Sequence, residues 1–427
     1  MKNYKLVLLI LSTFITNIVL AEEEEIIVTS SYIDSTLSTI ENPLHVVDGE
    51  DVTNGSTQSL GEIVDDLLGV ASSDFGYGVG QPVIRGMSGN RVKILSNGML
   101  IRDVSGLGPD HVNEIDLTNI QQIEIVRGPS SLLYSNGNIG GIINIVDNTI
   151  ARKDFEGAKV SVGLESQSVN DGDVYDFSYQ NNIGGINLSL SYKNSEFGDY
   201  DIPHGAVIHR EEEHHDEDED HDEDDEHEED MGYLANSDFE SESKKIGLSK
   251  TGDWGYFGMS SSKIESAYGI PFHGEGHADH DEHAHEDEDE DHDEDHDEDH
   301  DEEGHDDHEG ERIFAMTDSD VLTLEGSYNL AGSLVNKIDY FYRDSDYMLQ
   351  EQHAEEEGHE EEGHDDHHDE GPTVFSNEAS EYGAIFHLTN DSVVQKFVFN
   401  MADEDISIIG HEAFMNPTDN EENSFGY

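Results

Sequence analysis

From residue 157 onward, apolar and polar residues take turns. The segments 159–164 (KVSVGL), 186–192 (INLSLSY), 256–260 (YFGMS), 321–328 (VLTLEGSY), 338–342 (IDYFY) and 397–401 (FVFNM) follow a period of two. A strand sends successive side chains to opposite faces, so each segment predicts a strand with one apolar face. Tight turns punctuate the run at 181–185 (NNIGG), 251–253 (TGD) and 331–333 (AGS), while long polar stretches fill the connections between them. About ten strand candidates fall between 157 and 427. Alternation, aromatic strand ends and short turns alternating with long loops predict a transmembrane antiparallel β-barrel. A secreted β-sandwich is the soluble alternative.

The long connections have a composition of their own. Residues 211–230, 273–309 and 351–370 hold 19 of the 25 histidines and 49 of the 99 acidic residues, in a chain of formal net charge -79. They lack the apolar residues a core needs and are expected to stay disordered without ligand. Imidazole mixed with carboxylate suits zinc, nickel, cobalt or copper(II). Calcium takes oxygen ligands and gains nothing from the histidines. The capture residues are His214, His215, His221 and His227, then His280, His283, His285, His292, His296, His300, His305 and His308, then His359, His364, His367 and His368. With no cysteine in the chain, disulfides and thiolate metal sites are excluded.

Residues 1–21 read as a signal peptide. Lys2 and Lys5 precede an apolar run over 6–20, and Ala21 offers a small residue at the cleavage point. That run is shorter than the roughly 20 residues of a spanning helix. No other segment matches it in apolar length, so the mature chain is expected to cross a membrane with strands alone.

Between these regions the pattern is mixed α/β. Ser59 and Glu62 form a capping box for a helix over 59–69, with Leu60, Ile63, Val64, Leu67 and Leu68 on one face and Gly69 at its end. Residues 82–87 and 91–95 are short strands, and Asn97-Gly98 signals a hairpin. Residues 123–148 (IEIVRGPSSLLYSNGNIGGIINIVDN) read as strand, turn, short helix carrying Leu132, Leu133 and Tyr134, glycine-rich turn, strand.

That last string resembles the end of the plug domain of TonB-dependent outer-membrane receptors. Ile84-Arg85-Gly86 and the hairpin 91–98 (RVKILSNG) resemble two further plug motifs. The resemblance implies a mainly β protein: a signal peptide at 1–21, a TonB box and linker at 22–40, a small α/β plug domain at 41–149, and at 150–427 the first part of a barrel with loops at 204–231, 273–311 and 351–371. Glu25, Ile26, Ile27, Val28 and Thr29 match the TonB box, a segment that adds as a strand to the energy-coupling protein TonB. A plugged receptor barrel has about 22 strands, so about ten implies a C-terminally truncated chain. Arg85, Arg91 and Arg127 are expected in buried salt bridges between plug and barrel wall. The implied setting is the bacterial outer membrane. The implied partners are TonB with its inner-membrane complex, membrane lipid and a transported ligand; the chain is a monomer with no nucleic-acid role.

Three motifs resemble the zinc-uptake branch of this family. Asp110-His111 lies in the connection after the hairpin, where the branch carries an Asp-His ligand pair. Read by itself, Asp110 equally suits the cap of a helix starting near His111. Residues 268–273 (YGIPFH) open a histidine loop with His273, followed by His277; residues 346–351 (DYMLQE) match a strand end in which Leu349 replaces a histidine. Glu351 remains as a ligand candidate, with His353 on the same face of an extended strand. The resemblance implies import of Zn²⁺ or another divalent transition metal as cargo, with no catalytic cofactor. Haem or a siderophore is the alternative cargo, and an acidic surface adhesin the alternative class. No nucleophile triad and no HExxH motif points to an enzyme.

Overall fold

A computed structural model describes residues 44–54, 59–127, 139–204, 206, 232–271, 313–331, 334–353, 371–390, 393–410 and 413–426. The signal peptide, the TonB box, the helix expected around Leu132 to Tyr134 and the histidine tracts, apart from residues 351–353, lie outside the described residues.

The first unit contains β1 (Leu44–Asp48), α1 (Gly49–Asn54), α2 (Leu60–Val64), β2 (Val70–Asp74), β3 (Gly80–Ile84), β4 (Val92–Ser96), β5 (Met99–Leu100), β6 (Ile120–Val126) and β7 (Gly141–Asp147). Its main sheet runs β1-β6-β7-β4-β5, with β4 parallel to β7; β2 and β3 form a separate hairpin. The two isoleucine runs expected at 123–126 and 142–146 are β6 and β7, paired antiparallel with Ile123 opposite Ile145 and Ile125 opposite Ile143. Both strands are covered on each face, which is why they read as near-continuous apolar runs. Full burial of each isoleucine contributes roughly 1.5–3 kcal/mol. The buried Glu124 carboxylate is held between them by Gln122 Nε2 at 2.6 Å and Asn144 Nδ2 at 3.0 Å. Asn97 and Gly98 both take positive φ, making the expected hairpin turn between β4 and β5.

The helix expected over 59–69 is shorter. Ser59 does cap it, accepting from the Glu62 N–H at 3.2 Å, but α2 ends at Val64. The chain then tightens, with Leu67 N–H bonded to Val64 O, and turns at Gly69 (φ +77) into β2. The turn lifts Leu68 off the apolar face and leaves it 84% exposed.

The second unit is one curved antiparallel sheet of ten strands: β8 (Lys159–Gln167), β9 (Gly172–Ile183), β10 (Ile186–Phe197), β13 (Phe239–Gly252), β14 (Gly255–Gly269), β15 (Ile313–Asn329), β16 (Val335–His353), β17 (Thr373–Asn390), β18 (Val393–Ile409) and β19 (Thr418–Gly426), each pairing with the next. A two-stranded ribbon, β11 (Tyr200–Asp201) and β12 (Tyr233–Leu234), lies in the connection between β10 and β13. Short turns close one end of the sheet, and the long histidine-bearing connections leave the other. Alternation is as read from the sequence. On β13, Ile246 and Leu248 face outward and exposed, while Gly247 and Ser249 face inward and buried. Among the described residues no helix is long and apolar enough to cross a membrane.

Outside the sheet, one row interrupts the apolar surface. Asp320, Asp346, Glu378, Asp405 and Asp419 stand directly opposite one another on β15 through β19, all exposed.

The inner face of this wall packs on the first unit. At the short-turn end the contact is made by small polar side chains, among them Asn187, Ser189 and Ser249. Gly247 passes so close that a Cβ there would lie 1.9 Å from Thr149 O. At the long-connection end the contact is apolar: Tyr77, Val79, Val104 and Val112 meet Phe197, Phe239, Tyr268, Tyr347, Leu349 and Phe375. The ion pairs across the seam are not those expected. Arg85 and Arg91 are exposed, and Arg127 turns inward to donate to Leu68 O at 3.0 Å. Across the described seam, Arg102 instead reaches Glu381 at 2.6 Å and also Glu404, and Lys245 reaches Asp116 at 3.2 Å and Asp147 at 3.6 Å. Arg102 follows β5 directly and so points at the wall; Arg85 and Arg91 sit in turns that the described strands do not cover.

Candidate metal site at the seam

The connection from β5 to β6, residues 101–119, is irregular but tied down. Asp103 accepts from Ser105 N–H and Oγ–H at 3.2 and 2.5 Å and from Glu114 N–H at 2.9 Å, closing the segment into a loop. From β3 the buried Gln81 carboxamide donates to three carbonyls of that loop: Ser105 at 2.5 Å, Gly108 at 2.6 Å and His111 at 3.3 Å. Buried carbonyls need such partners. No helix starts at His111, so the capping role considered for Asp110 is removed. Asp110 and His111 fold back over Gly108, where a methyl group would sit 2.4 Å from Asp110 Oδ1 and 3.1 Å from His111 Cδ2.

The loop presents His111 to the wall. Its Nδ1 is 3.2 Å from Tyr268 Oη on β14, and its Nε2 is 4.0 Å from Glu351 Oε2 on β16. Tyr268, Ala315 and Glu351 are register partners across β14, β15 and β16, so the tyrosine and the glutamate stand at one height with an alanine between them. Strand parity turns Glu351 inward together with Tyr347 and Leu349. Deeper in the same loop, burial above all pushes Glu114 up to about 7, with the Asp103 charge adding to it; Ser266 Oγ donates to it at 3.1 Å. Burial also raises Asp116, but the Lys245 ammonium and the bonds from Thr118 outweigh it and hold that carboxyl below its usual range.

Residues 36–142 match the family model described as the TonB-dependent receptor plug domain. The chain carries a TonB-dependent receptor plug domain. The plug and its wall together resemble solved receptors in fold. The copper transporter OprC matches at 13% identity and a TM-score of 0.55, over 88% of this chain and 48% of that one. The Serratia marcescens hemophore receptor HasR, in complex with its hemophore HasA and heme, matches at 10% identity and 0.61, over 90% and 49%. The FrpB iron transporter from Neisseria meningitidis matches at 13% and 0.56, over 87% and 50%. The chain thus spans about half the length of the structures it matches. The plug-domain model covers residues 36–142, and the solved structures show a likeness of fold across plug and wall.

In these terms Asp110 and His111 belong to the plug and Glu351 to the wall, and the seam sets His111 Nε2 4.0 Å from Glu351 Oε2. Two donors on one tetrahedral zinc, each at about 2.0–2.1 Å, lie roughly 3.4 Å apart. The His111–Glu351 separation is slightly wider. Among the described residues no three His, Asp or Glu side chains stand at metal-holding distance, so binding requires these side chains to draw in. Of the other candidates, His353 closes β16 but its side chain is outside the described residues, as are His273, His277 and the histidines of the tracts. Sequence reasoning missed Gln81 and gave Tyr268 no role. Tyr268 had a visible signal, the first position of the YGIPFH string; an isolated glutamine in a short strand has none.

Proposed function

We propose that the chain forms the plug and adjoining wall of a bacterial outer-membrane receptor that takes up a divalent transition metal ion, zinc foremost. The observation that carries the reading is the meeting of His111 from the plug with Glu351 from the wall, at the end of the sheet from which the histidine tracts depart. One imidazole flanked by Asp110 and Glu351 offers the mixed nitrogen and oxygen donors that borderline metals favour over calcium. The tracts raise the local ion concentration through many interchangeable ligand sets, and the seam site selects. Uptake then draws on TonB, engaging residues 25–29, because a membrane without ATP needs its energy from a partner. Copper(II) suits the same donors and exceeds zinc in intrinsic affinity, and one structural neighbour is a copper transporter.

Replacing Asp110 and His111 together with alanine tests the reading. Titration of the detergent-solubilised chain with zinc should lose its tightest class of sites while the weak, tract-borne class persists, and zinc-limited cells should lose uptake. Unchanged tight binding and uptake would refute the site. Competition with copper(II) and with haem decides the cargo.

A further inference from the structure

Arg343 on β16 stands directly opposite Glu381 on β17, and both side chains are buried on the inner face of the wall. Residues so placed have Cβ atoms about 4.5–5.5 Å apart, well within the reach of an arginine. Yet the Glu381 carboxylate is taken by others: Arg102 Nη1 of the plug donates to it at 2.6 Å and Asn400 Nδ2 at 2.7 Å. Arg343 Nη1 donates instead to Met99 O of the plug strand β5, at 3.4 Å, and its Nε has no hydrogen-bond partner among the described residues. We propose that Arg343 is the exchange partner of Arg102: when β5 leaves the wall, the Glu381 carboxylate passes from the plug arginine to the wall arginine. This rests on the reading above, in which TonB draws on the plug.

One movement frees both partners. Met99 and Arg102 lie on the same short plug segment, so its withdrawal takes the carbonyl from Arg343 and the guanidinium from Glu381 together. Without an exchange, the wall would keep a stranded acid beside a stranded base, each carrying the penalty of a charge that has lost its partner. Two cavities of about 60 Å³ border Arg343, one shared with Met99 and Thr323 and the other with Arg102 and Tyr347, so the guanidinium has room to turn. The alternative role is static: from where it stands, Arg343 offsets the charges of Glu381 and Asp147 and braces Met99 O. A brace stabilises the seated plug, whereas an exchange partner stabilises the wall after the plug has left. The two roles therefore differ in sign.

The chain has no cysteine, so Met99→Cys supplies a single thiol while keeping the backbone carbonyl that Arg343 uses. Met99 is 3% exposed, and the thiol in its place becomes reachable when β5 leaves the wall. The test follows maleimide labelling of this full chain in detergent, at urea concentrations below global unfolding. Arg343→Met in the same background should slow labelling about two- to fivefold, the factor an ion pair open to water confers. Arg343→Lys keeps the charge and should label like the parent; slowing equal to that of Arg343→Met would overturn the proposal. With Glu381→Gln present there is no acid to receive, and Arg343→Met should change nothing further. Faster labelling in Arg343→Met, including a plug already unseated without urea, makes the arginine a brace and overturns the exchange. An unchanged rate, or slowing that persists with Glu381→Gln, overturns it too. Failure of the receptor reading shows separately, as uptake that survives removal of residues 25–29 while the labelling rates stand.

Discussion

His111 Nε2 and Glu351 Oε2 face each other at 4.0 Å across the boundary between plug and wall. Neither unit can make this pair alone, so movement of the plug breaks it. Glu351→Gln keeps the size and removes the charge. It is expected to weaken the tight zinc class about tenfold or more, by analogy with the loss of a group supporting a metal. Ala315→Leu should do the same by overpacking the fully buried position between Tyr268 and Glu351, at a cost of about 1–3 kcal/mol. Zinc titration against thermal unfolding separates the two effects.

Gln81 holds three loop carbonyls with one carboxamide. Gln81→Leu leaves those acceptors without it, at a cost of about 1–3 kcal/mol. Amide hydrogen exchange across 101–119 is expected to speed up, while exchange in β6 and β7 stays slow. Equal acceleration everywhere would mean that the glutamine supports the whole plug and not this loop.

Glu114 gives the plug a pH dependence of definite sign. Its carboxyl is pushed up from 4.5 to about 7, chiefly by burial, so the folded state holds the proton more tightly than the unfolded one. That contribution is fully present below about pH 4.5 and is lost as pH rises to about 7, a difference of roughly 3 kcal/mol. Glu114→Gln should flatten the melting temperature between these limits. A wild-type curve already flat there would contradict the assignment.

Arg102 joins Glu381 and Glu404 where all three are largely buried, and Asn400 and Asn420 complete the carboxylates at 2.7 and 3.3 Å. Arg102→Met leaves two acids facing each other without their cation, which costs about 3–5 kcal/mol. Replacing Glu381 and Glu404 with glutamine in the same chain is expected to restore much of the loss. Proteolysis of the plug in the solubilised protein reads both effects.

The outward row Asp320, Asp346, Glu378, Asp405 and Asp419 sets like charges opposite one another on five strands. Such pairs repel. Asp346→Asn with Glu378→Gln should raise the melting temperature at low salt, and the gain should shrink at about 1 M salt, where screening falls to about 3 Å. A gain independent of salt would point to a cause other than charge.

Much of this architecture was legible because it depends on local pattern. Period-two alternation located the wall strands, and Ile123, Ile125, Ile143 and Ile145 announced the centre of the plug sheet. The Asn97-Gly98 turn follows from positive φ alone. What escaped depends on distant partners. The helix face at Leu68 continued in sequence but not in space, because Gly69 had to turn the chain into β2. Arg102 looked no different from Arg85 or Arg91, and burial by residues hundreds of positions away distinguished it. For the candidate site, Asp110, His111 and Glu351 were named from motifs, yet nothing in the string showed that Tyr268 and Gln81 would hold the histidine and its loop.

The serine-lined part of the seam has a mechanical consequence. There Ser249 Oγ donates to Ala151 O at 2.6 Å, a bond that water can replace. Resistance to sliding is therefore uneven. The work concentrates at the aromatic collar around Tyr268 and Tyr347 and at ionic anchors such as Arg102 and Lys245. A pull on the plug meets these few points in succession, as a zip meets its teeth, and a modest force applied in sequence can part a surface too large to separate all at once.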